Sequence, residues 1–452
     1  MIFFVIIKVF YVFYICNFPD KNKHLKINLE IEMYLKKVLF FLLLLSCSFG
    51  FATETITLED AVQLALKNNI DIKMSDNSLK LLKKQKDFSW NSISPTLNAS
   101  GNFSQNFEGD VNSLSISGGV NLAISSNLYT SIRNANLNYE TGKITAEQKR
   151  KLIELNVRTA FYGLLYEQEN ISLQKRGLET SENQYKQNQE KFKKGQMSEL
   201  DVLTSRVNYE QKKPSVEAAI VTYQNDLALF KQIIGIDQSQ ELEIVGSLDD
   251  VLKIKAIKLS DSDVVPPDVL LAEKSLEIAE NSLLASRFSA YIPTISAGFN
   301  YGKAKSSAND EWSTTNNLSV GVSIPLDSVL PWSAKNINVA VSKKNLEDAK
   351  LNLEKTNTAV SVQIENLVRK INQAIYQIDS LKSNVELAEK TYNMTKTAYN
   401  YGKTDLLNLQ SASDKVLSAS VNLKYQAYSL ISTILQLENL LGIPYGTLGL
   451  NK

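Results

Sequence analysis

The chain has 452 residues, with 49 basic and 48 acidic side chains. So even a balance gives no field that would gather nucleic acid or an acidic substrate. With 18 glycines and 9 prolines, the composition favours long helices over a loop-rich enzyme, either as two or three ordinary domains or as one elongated one.

Two apolar runs open the chain. The second reads as a secretory signal: Lys36 and Lys37, then Val38 to Leu45, then the small-residue exit SCSFGFA. Met33 stands just before the basic pair and is the expected start, which makes residues 1–32 translated upstream sequence. The alternative is a long leader or short membrane anchor, although Lys8 interrupts the run from Ile2 to Cys16 and that run falls short of the ~20 residues that span a bilayer. Cleavage either follows Ala52 or precedes Cys47 in LLSC, in which case Cys47 carries a lipid. Cys16, Cys47 and His24 are the only cysteines and histidine, and all three precede Ala52. An exported chain of this kind has no disulfide, no His/Cys metal site and no histidine-based triad. It is expected to be no enzyme and to need no cofactor.

After the signal, a helix is predicted from Leu58 to about Trp90. The period then changes to two in a β-hairpin over residues 94–125. Leu97, Ala99, Gly101 and Phe103 alternate with Thr96, Asn98, Ser100 and Asn102, and Leu114, Ile116, Gly118, Val120, Leu122 and Ile124 alternate with Ser113, Ser115, Ser117 and Asn121. Next comes a heptad series, Val157, Leu164, Ile171, Leu178, Tyr185 and Phe192. It predicts a helix from about Ser131 to Lys194, roughly 95 Å long. Lys191, Lys193 and Lys194 place charge on its last carbonyls, and Gly195 supplies a left-handed cap. Ser198 and Asp201 have the spacing of a capping box, so a short reversal leads into a returning helix with Val202, Tyr209, Val216, Tyr223 and Phe230 at sevens. Pro214 should kink or break that helix.

A linker over 237–266 leads into a second copy, displaced by 402 − 195 = 207 residues. Its hairpin, 292–326, alternates Ile295, Ala297, Phe299 and Tyr301 with Thr294, Ser296 and Asn300. It then alternates Leu318, Val320, Val322 and Ile324 with Ser319, Gly321 and Ser323. Its heptads are Ile364, Ile371, Ile378, Val385, Tyr392 and Tyr399, with a companion line at Leu367, Ala374, Leu381 and Ala388. A second tip follows at Gly402. The returning series is Leu409, Val416, Leu423, Leu430 and Leu437. The expected segments are thus a leader (1–52), two repeats (53–236 and 267–443) with the linker between them, and a tail (444–452). A strict heptad gives each helix one seam and a left-handed supercoil. Each strand has one apolar face and one small, uncharged polar face, which is membrane-barrel patterning. Tyr291 and Trp332 fall where strand meets helix, as interfacial aromatics do. Four strands leave two edges that lipid does not tolerate, so copies of the chain must share strands and contact outer-membrane lipid.

ITLEDAVQLALKNN, Pro95 and Pro293 before the hairpins, the two G-x4-L tips and the GI endings, in this order, resemble the TolC family of outer membrane efflux proteins across nearly the whole mature chain. The resemblance implies a mainly α protein with membrane β: a homotrimer whose twelve-stranded barrel continues into a long periplasmic α-barrel. It implies export of drugs, proteins or other solutes with a periplasmic adaptor and an inner-membrane efflux or ABC transporter. It also implies a gate at the tips, held by polar links and lined by acidic rings. Asp201 matches the latch carboxylate and Tyr399 its tyrosine partner. Thr404 stands at the arginine position, so that link is absent, and Asn408 and Ser411 stand at the acidic-ring positions. An entrance less selective for cations is expected. Asp201 as a plain helix cap and Tyr399 as plain core are the simpler readings of those residues. An exported trimeric coiled-coil surface structure or adhesin is the alternative function; it shares the heptads but needs no tandem hairpins.

Overall fold

A computed structural model describes residues 54–106, 111–125, 127–255, 257, 265–307 and 309–448. The leader, Met33 and Cys47 lie outside the described residues. Among the described residues, chain contacts define two units: Glu54 with Ser239–Glu243, and Thr55–Gln238 with the described residues from Ile244 to Leu448. The elements are β1 (Glu54–Ile56), α1 (Leu58–Asn68), α2 (Ile70–Asp87), β2 (Thr96–Asn106), β3 (Val111–Ile124), α3 (Leu128–Lys193), α4 (Glu199–Ile234), β4 (Leu242–Ile244), α5 (Pro267–Tyr291), β5 (Thr294–Ser306), β6 (Asn309–Ser323), α6 (Ala334–Asn400) and α7 (Leu406–Leu441). Within the larger unit, Val245 N donates to Ile56 O at 3.2 Å.

Repetition is plain in the helix lengths. α3 and α6 have 66 and 67 residues, about 100 Å at 1.5 Å per residue, and α4 and α7 have 36 each. Each long helix reverses into its shorter partner. Toward the tips, α4, α3, α7 and α6 pack side by side; toward the strands, α2, α3, α5 and α6 do so. The heptad seams explain this packing. Val157 and Leu164 in α3, Ile371 and Ile378 in α6, Phe230 in α4 and Leu430 and Leu437 in α7 are all buried.

The short helices continue the lines of the returning ones, and the joints are crowded. Gly235 ends α4 at φ 74° and Gly442 ends α7 at φ 71°. A Cβ on Gly235 would meet Asn68 at 2.8 Å, and one on Gly442 would meet Pro267 at 2.8 Å. In the last turn of α7, the fully buried Glu438 accepts from Gly446 N at 2.9 Å and Leu448 N at 2.8 Å, docking the tail. Desolvation pushes the Glu438 carboxyl up, and these backbone donors pull the other way.

Two sequence expectations change. The first helix is interrupted at Asn69, whose φ −57°, ψ 131° is non-helical. Its Oδ1 caps α2 by accepting from Asp71 N at 2.9 Å, while its Nδ2 donates to Ile233 O at 2.9 Å. Pro214, by contrast, lies inside an uninterrupted α4, so of the expected kink or break the break does not occur. The helix absorbs one missing donor because its seam residues Val216 and Phe230 remain buried.

β2, β3, β5 and β6 form one antiparallel sheet in the order β2-β3-β5-β6, so the two hairpins join through β3 and β5. The strands outrun the apolar alternation: β5 reaches Ser306 and β6 starts at Asn309. The sheet is open, with β2 and β6 at its edges; a single chain closes no barrel among the described residues. Leu97, Val120, Phe299 and Leu318 are aligned across all four strands on one face. On the other, Ser100 and Ser117 share a hydrogen bond of 2.8 Å, Ser104 and Ser113 one of 2.6 Å, and Asn121 Nδ2 donates to Asn98 Oδ1 at 3.3 Å. No described helix is long and apolar enough to cross a membrane.

Candidate functional site

The tips are built by the same device twice. Gly195 at φ 70° and Gly402 at φ 68° take the left-handed conformation. Gln196 N then donates to Lys191 O at 2.9 Å, and Lys403 N to Ala398 O at 2.9 Å. These six-to-one bonds satisfy carbonyls that the helix ends leave open. The return helices are capped with the carboxylate in different places. Ser198 Oγ accepts from Asp201 N at 3.1 Å and donates to Asp201 Oδ2 at 2.6 Å. In the second tip Asp405 is itself the cap, accepting from Asn408 N at 2.8 Å, and Asn408 Nδ2 donates to Thr404 Oγ1 at 3.2 Å.

The two tips of one protomer are fastened together. Tyr399, Leu406 and Leu409 form a buried cluster against which Met197 of the first tip and Tyr392 pack. The phenol of Tyr399 donates to Asn188 Oδ1 at 3.0 Å, and Gln184 Nε2 donates to the same oxygen at 2.9 Å. Asn188 is fully buried. Burial pushes the Tyr399 phenol up, opposed by the bond to Asn188, and the nearby Asp201 carboxylate raises it further. Lys191 Nζ lies 5.0 Å from the ring centroid, a cation over a desolvated aromatic face. Farther along, Lys212 Nζ and Asp414 Oδ1 form an ion pair of 2.8 Å between α4 and α7. Beside it runs a groove of about 570 Å³ whose walls include Val207, Leu407, Gln410 and Ser411.

Within the protomer, then, Asp201 is bonded through both its backbone N–H and its carboxylate to the Ser198 cap hydroxyl, without the backbone half of the expected capping box, and Tyr399 is bonded to Asn188. Thr404 supports Asn408, and both Asn408 and Ser411 are exposed. Asn188, Gln184, Lys212 and Asp414 were missed in sequence. A signal for Asn188 existed: it stands three residues after Tyr185, on the companion line of the first heptad series, where a buried amide fixes register in coiled coils. No group of His, Cys, Asp or Glu among the described residues could hold a metal ion.

Paired helical hairpins about 100 Å long, hung from an open antiparallel sheet with one apolar and one polar face, make the protomer fold of outer membrane channels. The pattern of the outer membrane efflux protein family matches residues 61–235 and 265–443, one span for each repeat. The chain belongs to that family. In fold it is similar to the CmeC outer membrane channel of Campylobacter jejuni, with 20% identity over 87% of each chain and a TM-score of 0.71. It is also similar to the outer membrane protein VceC of Vibrio cholerae, with 14% identity over 86% of this chain and 96% of that one and a TM-score of 0.69. For the open state of the MtrE channel of Neisseria gonorrhoeae the values are 18%, 85%, 89% and 0.66. Among curated proteins, none matches in sequence.

Proposed function

We propose that this protein is the outer-membrane exit duct of a tripartite efflux or type I secretion system. It passes solutes or proteins received from a periplasmic adaptor and an inner-membrane efflux or ABC transporter. Three chains pair the β6 edge of one sheet with the β2 edge of the next, closing a twelve-stranded barrel in the outer membrane above a periplasmic α-barrel. The two repeats, 53–236 and 267–443, each contribute one hairpin to every third of the tube. The observation that carries this reading is the open sheet with two unpaired edges and opposite-natured faces. Lipid admits such a sheet only when it is closed. Exposed apolar stripes at Ile70, Met74 and Leu81 on α2 and at Ile337, Val341 and Leu351 on α6 suit burial against neighbouring copies in the same ring. At the entrance, Asp201 exchanges its Ser198 hydroxyl for Tyr399 of a neighbouring chain when the tips move, and Asn408 and Ser411 give the mouth no acidic ring.

Planar-bilayer recording of the purified trimer tests the proposal, with discrete conductance steps expected. Replacing Val120 or Val322 by Arg puts a charge toward lipid, costing about 2–4 kcal/mol per copy at the midplane, and should abolish insertion. Replacing Ser115 or Ser319 by Arg should leave insertion intact and lower conductance. A non-conducting trimer, or equal behaviour of the two pairs, overturns the reading.

A further inference from the structure

The apolar face of the sheet changes character toward its turns. Ile124, Ile295 and Val322 form the row nearest the helices. Two rows on, Leu97, Val120, Phe299 and Leu318 are aligned; next come Ala99, Gly118, Tyr301 and Asn316. The following row is Gly101, Ile116, Lys303 and Thr314, and Lys305 lies opposite Leu114 in the row beyond. The face that begins with branched aliphatics thus acquires lysines at its turn end. From Ile295 to Lys303 the strand climbs about 26 Å, or about 20 Å along the membrane normal at a tilt of about 40°. That spans most of the apolar band of an outer-membrane barrel, about 25 Å tall. Tyr301 and Trp312 stand at this level, where an aromatic girdle belongs.

The same place has a groove. Ala99, Ile116, Gly118, Tyr301, Lys303 and Trp312 line a depression of about 500 Å³ in the sheet face. Its floor is low because Ala99 and Gly118 are small, and its walls are the two aromatic rings. An alkyl chain lying between those walls would bring its headgroup to Lys303, whose own stem can run along the apolar face while its ammonium reaches the polar boundary. Lys305 is two residues further toward the turn on the same face. Trp312 offers an indole N–H donor.

We propose that Lys303 and Lys305, with Tyr301 and Trp312, form a site on the lipid side of the sheet for the phosphate of an anionic outer-leaflet lipid, whose chain occupies the groove over Ala99 and Gly118. The site rests on the membrane-barrel reading of the sheet and adds a headgroup preference to it. Each lysine near a membrane surface favours an anionic lipid by roughly fivefold.

Trp312 reports on its own neighbourhood. The chain has three tryptophans, so Trp90→Phe with Trp332→Phe leaves Trp312 as sole emitter in the full-length trimer. The trimer is placed in phosphatidylcholine nanodiscs carrying either phosphatidic acid or phosphatidylcholine with brominated chains. Brominated phosphatidic acid is expected to reach half-quenching at a mole fraction about tenfold lower than brominated phosphatidylcholine. Lys303→Gln with Lys305→Gln should bring the two curves together without removing quenching. Inorganic phosphate in solution should not displace the brominated lipid, which separates a lipid-borne phosphate from a free one. Coincident curves in the parent protein, or a preference that survives the double substitution, overturn the site while leaving the barrel standing. Displacement by inorganic phosphate also overturns it, in favour of a soluble anion. Absence of quenching by brominated phosphatidylcholine overturns the barrel reading and the site together.

Discussion

The long helices α3 and α6 share one heptad seam and differ three residues further on. In α6 the companion line is Leu367, Ala374, Leu381, Ala388 and Thr395; in α3 the corresponding line is Ala160, Glu167, Gln174, Ser181 and Asn188. One copy presents a companion stripe that is apolar until Thr395 and the other one that is polar after Ala160, on helices of 66 and 67 residues. Phe192 and Tyr399 sharpen the contrast. They are 207 residues apart in equivalent places, yet Phe192 is 43% exposed and Tyr399 8%. The tandem repeat therefore supplies matching frames, and the polar stripe of the first copy makes their interiors different. Ser181 spends its hydroxyl on Leu178 O of its own helix at 2.8 Å, whereas Glu167 and Asn188 reach other helices.

Features the copies share should respond alike, and here the largest effect is expected. Gly235→Ala and Gly442→Ala each force a left-handed alanine against a crowded joint, at a cost of about 2–4 kcal/mol. Gly195→Ala and Gly402→Ala meet nothing within 4 Å and pay the backbone term alone, about 1–2 kcal/mol. Thermal unfolding in detergent should rank the joints above the tips in both copies. A joint substitution that is silent in one copy and severe in the other would break the equivalence.

The next effect belongs to the first copy alone. Burial, a hydrogen bond to Asp226 and its charge push Glu167 up to about 8. Its neighbours include Tyr166 and Tyr428, whose rings stack at 5.9 Å. The proton is held more tightly in the folded state. The contribution is therefore full below the ordinary carboxylate range and lost as pH rises through about 8. Melting temperature should fall between about pH 5 and pH 9, and Glu167→Gln should flatten that slope. The second copy has Ala374 and Thr433 in these places and supplies no such carboxyl pair. An unchanged slope in Glu167→Gln would remove this difference between the copies.

A third test addresses the fastening of the tips. Asn188→Ala leaves the Tyr399 phenol without its acceptor, at about 1–3 kcal/mol. Tyr399→Phe is milder, because Gln184 still donates to Asn188 Oδ1. If this link holds the hairpins closed, each substitution raises resting conductance, and the double variant adds little to the larger single effect. Asp201→Ala separates the remaining roles. Non-additivity with Tyr399→Phe marks a latch across chains, while lowered stability with unchanged conductance marks a cap.

Much of this was legible because heptads and alternation are periodic and long. The two tips, the two strand pairs and the open edges all follow from periods of seven and two. Asn69 was hidden because an amide inside an amphipathic pattern costs the pattern nothing, and the other end of its amide is tied to Ile233, 164 residues away. The start of β6 was hidden because NDEWSTTNN has no apolar alternation; its strand character comes from pairing with β5. At the tips, the glycines and caps are local and readable. The partner of Tyr399 is not, since Asn188 lies 211 residues earlier and only packing of the two hairpins brings them together.

The smallest expected effect separates the caps. α4 starts with Ser198 as cap and has Glu199 and Asp201 in its first turn, whereas α7 has Asp405 as cap and no acidic residue in its first turn. Removing a good cap costs about 1 kcal/mol, and a carboxylate beside a helix N-terminus contributes about 0.3–1 kcal/mol that salt screens. Ser198→Ala keeps both acids near the α4 terminus, so the charge part survives. Asp405→Ala removes the cap and the charge in one step. It should therefore cost more than Ser198→Ala, and the excess should shrink as salt rises from 50 mM to about 1 M, where the screening length is about 3 Å. Ser198→Asp combined with Asp201→Asn transplants the second cap into the first tip and should shift the melting temperature little. Equal costs for the two alanine variants at every salt concentration would show that the capping hydrogen bond alone matters, and that moving the carboxylate between the copies has no electrostatic consequence.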